Sequence, residues 1–132
     1  MPAILPPVAA VLAFIDRINH GDVEGLLALM ADGHCLCVLD EPPVTGKEAL
    51  GRAWQGYFDA FPAYVIHPWR FAEHPGGRVA VLGSTTGSHL GLSDDEERRL
   101  PVVWTADVEE GLLMTWSILD DDLRTREALG LS

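Results

Sequence analysis

The chain has 132 residues, of which 48% are hydrophobic and 22% are charged. This length is enough for one globular domain with its own core, and we treat residues 1–132 as a single domain. The formal net charge is -11, from 20 acidic and 9 basic residues, which leaves no basic patch to contact phosphates and argues against nucleic acids or anionic membranes as partners. No apolar run reaches the roughly 18 residues of a membrane span.

The two cysteines, Cys35 and Cys37, stand two positions apart in a predicted strand. They point to the same side of it but are poorly placed for a mutual disulfide, so we expect a reduced, cytoplasmic setting. His34 lies on the opposite face from both thiols, and no CxxC or HxxxH spacing occurs elsewhere. We therefore predict no metal site and no other cofactor, and we interpret the acidic clusters as solvated turns.

Three helices are predicted in the first half of the chain. The first begins at Pro6 or Pro7 and ends at residues 20–21, and its apolar face is Val8, Val11, Leu12, Ile15 and Ile18. The second is capped by Asp22 and closes at residues 31–33, before a strand over residues 34–39. The third opens at residues 46–48 and carries the strongest apolar stripe, formed by Leu50, Ala53, Trp54, Tyr57, Phe58 and Phe61.

From residue 64 onward the apolar period changes to that of strands. Candidate strands cover residues 64–73, 78–91, 100–108 and 112–119, and the tail over 120–130 can be helical. Pro68 predicts that the first of these strands is an edge strand or carries a bulge. Glycines at 83, 87 and 91 are expected to bend the second strand. Helices followed by an antiparallel sheet predict an α+β domain.

The last predicted strand is apolar on both faces. Leu112, Met114, Trp116 and Ile118 would share one face, with Leu113 and Leu119 on the other. A sheet that buries both faces needs a second cover. We predict a homodimer through the outer sheet face, and the alternative is that the tail and the loop over residues 93–98 supply the cover.

Two stretches of the chain carry a resemblance to a known superfamily. The segment FIDRINHGDVEGLLALMADG, followed by a strand and TGKEALGRAW, resembles the front half of nuclear transport factor two-like domains, which include ketosteroid isomerases, limonene epoxide hydrolases, scytalone dehydratases and SnoaL-like polyketide cyclases. GSTTGSHLG and MTWSILDDDLRTREALGL are similar to the SnoaL branch. The resemblance implies a cone-shaped α+β barrel, with three N-terminal helices on a curved antiparallel or mixed sheet and a pocket inside.

The resemblance also implies positions for catalytic residues. The tyrosine and aspartate of the isomerases correspond here to Phe14 and Val38, with Asp40 two residues further on the same strand face, so the isomerase pair is missing or displaced. The strand histidine of the SnoaL-like cyclases matches His89, whereas their aspartate after the last-strand Trp is replaced by Ser117. The predicted catalytic set is His89, assisted by Ser117, Asp40 or a bound water.

A pocket of this kind needs an apolar wall with a few polar groups. The residues expected to contact a ligand are Phe14, Val38, Trp54, Tyr57, Trp69 and Trp104. Trp54 falls where isomerase relatives place a pocket tyrosine. Each aromatic residue, and His89 itself, has the alternative of an ordinary core position satisfied by its neighbours.

Three function hypotheses follow. The chain is an acid–base enzyme acting on a small apolar, cyclic or polyketide-like compound, or a non-catalytic ligand-binding protein of the same fold, or a protein-interaction module. An enzyme would bring His89 within about 3.5 Å of a second titratable group in the pocket. A binding protein would leave His89 hydrogen-bonded to backbone alone.

Overall fold

The computed structural model describes residues 4–131, which form five helices and a six-stranded sheet. The helices are α1 Pro7–Asn19, α2 Val23–Ala28, α3 Lys47–Ala60, α4 Asp94–Glu97 and α5 Leu123–Leu129. The strands are β1 Met30–Val38, β2 Val44–Thr45, β3 Val65–His74, β4 Arg78–Thr86, β5 Val102–Glu109 and β6 Leu112–Leu119. None of the helices in this part of the chain is long and apolar enough to cross a membrane.

The sheet is mixed and curved. Its strand order is β2-β1-β6-β5-β4-β3, in which β1 and β6 run parallel and all other neighbours run antiparallel. The predicted α+β class with three N-terminal helices is confirmed. The sheet is not closed into a barrel, because β2 and β3 remain as edges. Pro68 lies in the edge strand β3, and the pairing register of β3 shifts between Pro68 and Arg70, as proline in a strand predicts.

The core lies between α1, α3 and the concave face of the sheet. Phe14 has no exposed surface, and its ring centroid lies 5.1 Å from that of Trp116 and 6.3 Å from that of Trp54. The buried face of α1 follows the predicted period, except that Leu12 is 45% exposed. Leu12 lies at the border of that face, which is centred on Phe14, so it points to solvent.

The register of β6 differs from the prediction. Leu113 pairs with Val108 and Thr115 pairs with Asp107, so Met114 is an extra residue in this strand. The bulge places Leu113 on the same inner face as Trp116, and both are buried in the main core. Leu112 is instead 36% exposed, so the predicted division of this strand into two apolar faces is wrong.

The outer face of the sheet is partly covered by the end of the chain. Leu129 and Leu131 pack with Ala80, Leu82 and Val103 in a second apolar cluster on this face. The tail therefore covers part of the outer sheet face. This agrees with the alternative given above, in which the tail rather than a second copy covers that face. The segment over residues 93–98 forms α4, capped by the Ser93 side chain.

Candidate functional site

A cavity of 370 Å³ opens between α3 and the concave face of the sheet. Its wall consists of Leu36, Val38, Glu41, Pro42, Val44, Ala53, Trp54, Tyr57, Tyr64, His89 and Ile118. Most of these side chains are apolar, and three of them carry a hydroxyl or an imidazole. This is the composition of a pocket for a small, mainly apolar molecule.

The aliphatic part of the wall comes from the parallel pair β1 and β6. Leu36 pairs with Trp116 and Val38 pairs with Ile118. Side chains alternate along a strand, so Leu36 and Val38 point inward together and Cys35 and Cys37 point outward. The strand ends at Val38, and the chain turns away through residues 39–43.

Tyr57 and His89 form the only side chain–side chain hydrogen bond found between two residues of the wall in the described part of the chain. The Tyr57 hydroxyl oxygen lies 2.9 Å from Nδ1 of His89, and the backbone N–H of His89 donates to the same oxygen at 3.4 Å. Tyr57 stands on the apolar stripe of α3, three residues after Trp54, so α3 aims its ring into the cavity. Burial raises the pKa of Tyr57, so it carries its proton at neutral pH.

The sequence pattern predicted that His89 lies in a strand. The structure instead places His89 in the loop after β4. β4 ends at Thr86, and Gly87 has a φ of +69°, which turns the chain. A Cβ atom at Gly87 would lie 2.4 Å from the carbonyl oxygen of Ala63, so glycine is required here. The turn places His89 at the mouth of the cavity, where its ring stacks edge-on against Tyr57 and Phe61 while the residue remains exposed to solvent.

Tyr64 was not singled out by the sequence. Its ring centroid lies 4.9 Å from that of Tyr57 in an edge-on arrangement, and it lines the cavity. Burial raises the pKa of Tyr64, and its hydroxyl makes no hydrogen bond to another described residue. The sequence did not predict that Tyr64 lines the cavity. Tyr64 lies between α3 and the edge strand β3, and the sequence does not show that this connection passes beside the cavity.

Glu97 is a second residue that sequence reasoning missed. It is 1% exposed, and its carboxylate accepts hydrogen bonds from the Thr85 hydroxyl and from the backbone N–H of Ser88 at 3.4 Å. The sequence placed Glu97 in a run of acidic residues interpreted as a solvated turn. Only its burial distinguishes it from the exposed Asp94, Asp95 and Glu96 in the same helix.

Three of the predicted ligand contacts lie away from the cavity. Phe14 and Trp104 have no exposed surface and belong to the core beneath it. Trp69 is 50% exposed and stands on the edge strand β3, beside the register shift. The prediction that these three residues line the pocket is corrected, because none of them reaches its wall. Val38, Trp54 and Tyr57 do lie in the wall.

Two of the three predicted catalytic residues also lie outside the cavity wall. Ser117 stands between the inward-pointing Trp116 and Ile118, so it faces the outer side of the sheet. Asp40 is exposed in the turn that follows β1. Of the predicted catalytic set, only His89 is at the cavity, and its titratable neighbour is Tyr57. No group of three or more His, Cys, Asp or Glu among residues 4–131 is arranged to hold a metal ion.

The chain belongs to the SnoaL-like domain family, whose model matches residues 11–116. The family lies in the nuclear transport factor two-like superfamily, so the resemblance stated from the sequence is confirmed. A comparison with curated proteins found no match.

Solved structures with the same fold include proteins of polyketide and related chemistry. A candidate polyketide cyclase from Sinorhizobium meliloti has a TM-score of 0.69 at 18% identity, covering 83% of this chain and 93% of its own. TerC, crystallised with polyporic acid, has a TM-score of 0.70 at 17% identity, covering 96% and 99%. SalBIII, an epoxide hydrolase/cyclase-like enzyme of pyran ring formation in salinomycin, has a TM-score of 0.70 at 15% identity, covering 86% and 88%. At these identities the likeness establishes the fold alone.

Proposed function

We propose that this protein is an acid–base enzyme acting on a small, neutral, mainly apolar cyclic compound that carries a carbonyl or enol oxygen. The observation that carries the proposal is the 2.9 Å contact between the Tyr57 hydroxyl and Nδ1 of His89 at the mouth of the apolar cavity. Tyr57 and His89 together are called the proton relay below. The fold's cyclase-like relatives support this reaction class by analogy.

The proton relay links solvent to the cavity. When His89 is protonated, Nδ1–H donates to the Tyr57 oxygen and the Tyr57 hydroxyl donates to a ligand oxygen. As the ligand oxygen gains the Tyr57 proton, Tyr57 takes the Nδ1 proton and the imidazole becomes neutral. The exposed ring then regains a proton from water. Tyr64 stays protonated because burial raises its pKa, so its hydroxyl is a second donor for a developing negative charge.

The charge of the wall defines the ligand class. Among residues 4–131, no lysine or arginine lines the cavity, and the only carboxylate in its wall is Glu41. An anionic ligand would lose hydration without gaining a cationic partner, so a neutral ligand is favoured. A matched pair of probes tests this point. We expect 2-naphthol to bind and 2-naphthoate to bind at least about tenfold more weakly, because one unpaired buried charge outweighs one hydrogen bond.

Catalysis is tested without knowledge of the natural substrate. Exchange of the α-protons of 2-tetralone in deuterated water, followed by NMR, reports enolisation of a neutral cyclic ketone. In this step Tyr57 gives a proton to the ketone oxygen while a solvent water takes the α-proton, and the reverse step returns a deuteron from water to the carbon. General acid catalysis by a positioned side chain gives about 10²-fold or more over buffer. We expect His89→Gln and Tyr57→Phe to lose most of this acceleration. His67→Gln is the matched control, since His67 bonds to Thr86 at 2.9 Å away from the cavity.

A non-catalytic binding protein is the second candidate. It is favoured by Ser117, which stands at the family's acidic position and faces away from the cavity. In that case 2-naphthol binds, as measured by quenching of tryptophan fluorescence, while the exchange of 2-tetralone proceeds at the buffer rate. Absence of both binding and exchange would reject both candidates and leave the interaction module.

The predicted homodimer is part of the proposal. Outside the cluster covered by Leu129 and Leu131, the outer face of β1 and β6 presents Cys35, Cys37 and Ser117, all half-buried. Light scattering coupled to size exclusion measures the mass directly. We expect a dimer that Ser117→Arg converts to a monomer. A monomeric wild-type protein would contradict the proposed homodimer.

A further inference from the structure

Glu97 is a buried carboxylate without a cationic partner. It is 1% exposed, and no lysine or arginine forms an ion pair with it within residues 4–131. Its hydrogen-bond donors are neutral: the hydroxyl of Thr85 and the backbone N–H of Ser88. A buried charge of this kind is unfavourable for stability, which points to another reason for its presence.

The carboxylate is ionised despite its burial. Burial raises the pKa of Glu97, but hydrogen bonds from Ser88 and Thr85, together with the attraction of His89, outweigh it, and the pKa lies below its ordinary value. The same charge disfavours ionisation of Tyr57 and contributes to its raised pKa. Glu97 is thus electrostatically coupled to both members of the proton relay, and such coupling acts equally in both directions.

The hydrogen bonds of Glu97 fix the turn that carries His89. Thr85 lies at the end of β4 and Ser88 directly precedes His89, so the carboxylate joins both sides of the turn at Gly87. The backbone N–H of His89 in turn contacts the Tyr57 hydroxyl. Removing the carboxylate would free the segment that holds the imidazole against Tyr57.

We propose that Glu97 is the positioning residue of the proton relay: its hydrogen bonds fix the turn before His89 and so hold the imidazole against the Tyr57 hydroxyl. The inference rests on the proposed function, in which protonated His89 supplies the proton. It assigns a role to a side chain that touches neither the cavity wall nor a ligand.

Other titratable groups surround His89, but they differ from Glu97 in charge or exposure. Tyr57 on α3 and Tyr64 before β3 carry no charge at neutral pH, and Glu41 lies on the exposed β1–β2 turn. The remaining charges of this loop are exposed to solvent, namely Asp94, Asp95, Glu96, Arg98 and Arg99. Among the described residues of this loop, Glu97 is therefore the one charged side chain that is buried against the turn of His89.

The test follows the NMR signals of the His89 ring, in the whole protein without ligand. Glu97→Gln keeps the size of the side chain but replaces the carboxylate that accepts from Thr85 and Ser88 by an amide with a single acceptor oxygen. We expect the nuclear Overhauser contacts between the rings of His89 and Tyr57 to weaken and the Ser88 N–H to exchange faster with solvent. Asp95→Asn, in the same helix but exposed, is the matched control and should leave both readouts at the wild-type level.

Glu97→Asp separates charge from position. It keeps the negative charge but shortens the reach to Thr85 and Ser88, so the ring contacts between His89 and Tyr57 should weaken in this variant too. Ring contacts at the wild-type level in both Glu97→Gln and Glu97→Asp would overturn the inference. That result would leave ligand binding and ketone exchange untouched, so it is distinguishable from failure of the proposed function.

Discussion

Asn19 and Ile66 exchange two hydrogen bonds that join the end of α1 to the edge strand β3. The Asn19 side-chain N–H donates to the Ile66 carbonyl at 3.1 Å, and the Ile66 N–H donates to the Asn19 side-chain oxygen at 2.8 Å. One amide therefore satisfies both backbone groups of an edge residue that has no neighbouring strand on this side.

Replacement of Asn19 should destabilise the fold. Asn19→Ala leaves a backbone donor and an acceptor of Ile66 without partners, which costs about 2 kcal/mol in the free energy of unfolding. Urea unfolding measures this loss. Gln55→Ala is the control, because Gln55 makes only an exposed bond to Asp59 at 2.9 Å and should change stability by less than about 0.5 kcal/mol. A neutral Asn19→Ala would contradict the argument.

Two glycines should respond to alanine with opposite signs. A Cβ at Gly83 would lie 2.4 Å from the carbonyl oxygen of His67 and 3.0 Å from Cα of Pro68, so Gly83→Ala forces β3 and β4 apart and costs about 1–3 kcal/mol. Gly56 lies in α3, and a Cβ added there would meet no atom within 4 Å, so Gly56→Ala should stabilise by up to about 1 kcal/mol. Thermal unfolding measures the change in stability of each variant. A Gly83→Ala variant as stable as the wild type would refute the close approach of β3 at Gly83.

His34 should make the protein less stable in mild acid. Burial lowers the pKa of His34 below its ordinary value of 6.5 and outweighs the hydrogen bond to the Leu113 carbonyl. The unfolded chain then binds a proton that the folded chain does not, so stability is full above about pH 6.5 and falls as the pH drops below it. Urea unfolding at pH 7.5, 6.5 and 5.5 should show this fall.

The variant His34→Asn keeps a donor near the position of Nδ1, which lies 2.7 Å from the Leu113 oxygen. It should be less stable at pH 7.5 yet lose less on acidification than the wild type. His20→Asn serves as the control, since the His20 side chain is 66% exposed. If the free energy of unfolding of His34→Asn falls with decreasing pH as steeply as that of the wild type, the acid sensitivity comes from a group other than His34.

The thiol pair should make Cys35 slow to alkylate. The two sulfur atoms lie 3.0 Å apart, and the hydrogen bond that the Cys35 thiol shares with Cys37, with burial, raises the pKa of Cys35 to about 11. Because the thiolate is the nucleophile, iodoacetamide should modify Cys35 slowly at pH 8, as peptide mass spectrometry would show. Cys37→Ala removes the partner and should speed the reaction several-fold, whereas Ser117→Ala on the adjacent strand should not.

Local patterns in the sequence predicted the starts of the helices better than the strands. The predicted end of the second helix at residues 31–33 is wrong, because α2 ends at Ala28 and residues 30–33 already belong to β1. Asp22 caps α2 through the backbone N–H of Gly25 at 2.9 Å, as its position before an apolar stripe indicates. The extra residue Met114 in β6 leaves no mark on composition, yet it moves Leu113 to the inner face. Strand register depends on partners distant in sequence, which a single chain does not reveal.

The candidate site was predicted in part. His89 was found through its match to the strand histidine of the SnoaL-like cyclases, although the structure places it in a loop. Tyr57 was expected to contact a ligand, but its hydrogen bond to His89, 32 positions away, was not predicted, because the sequence does not show which loop reaches the apolar stripe of α3. The role of Glu97 was not predicted, because it is one of four consecutive acidic residues. Which of the four is buried depends on the positions of the hydrogen-bond donors of Thr85 and Ser88, which the sequence does not show.

The two sides of the cavity come from opposite ends of the sheet. Leu36, Val38 and Ile118 belong to β1 and β6, while Tyr64 and His89 flank β3 and β4. A flat guest whose oxygen faces Tyr57 would therefore meet different walls on its two faces. If the proposed reaction creates a stereocentre in such a guest, we expect one mirror image of the product to dominate, because solvent reaches the two faces unequally.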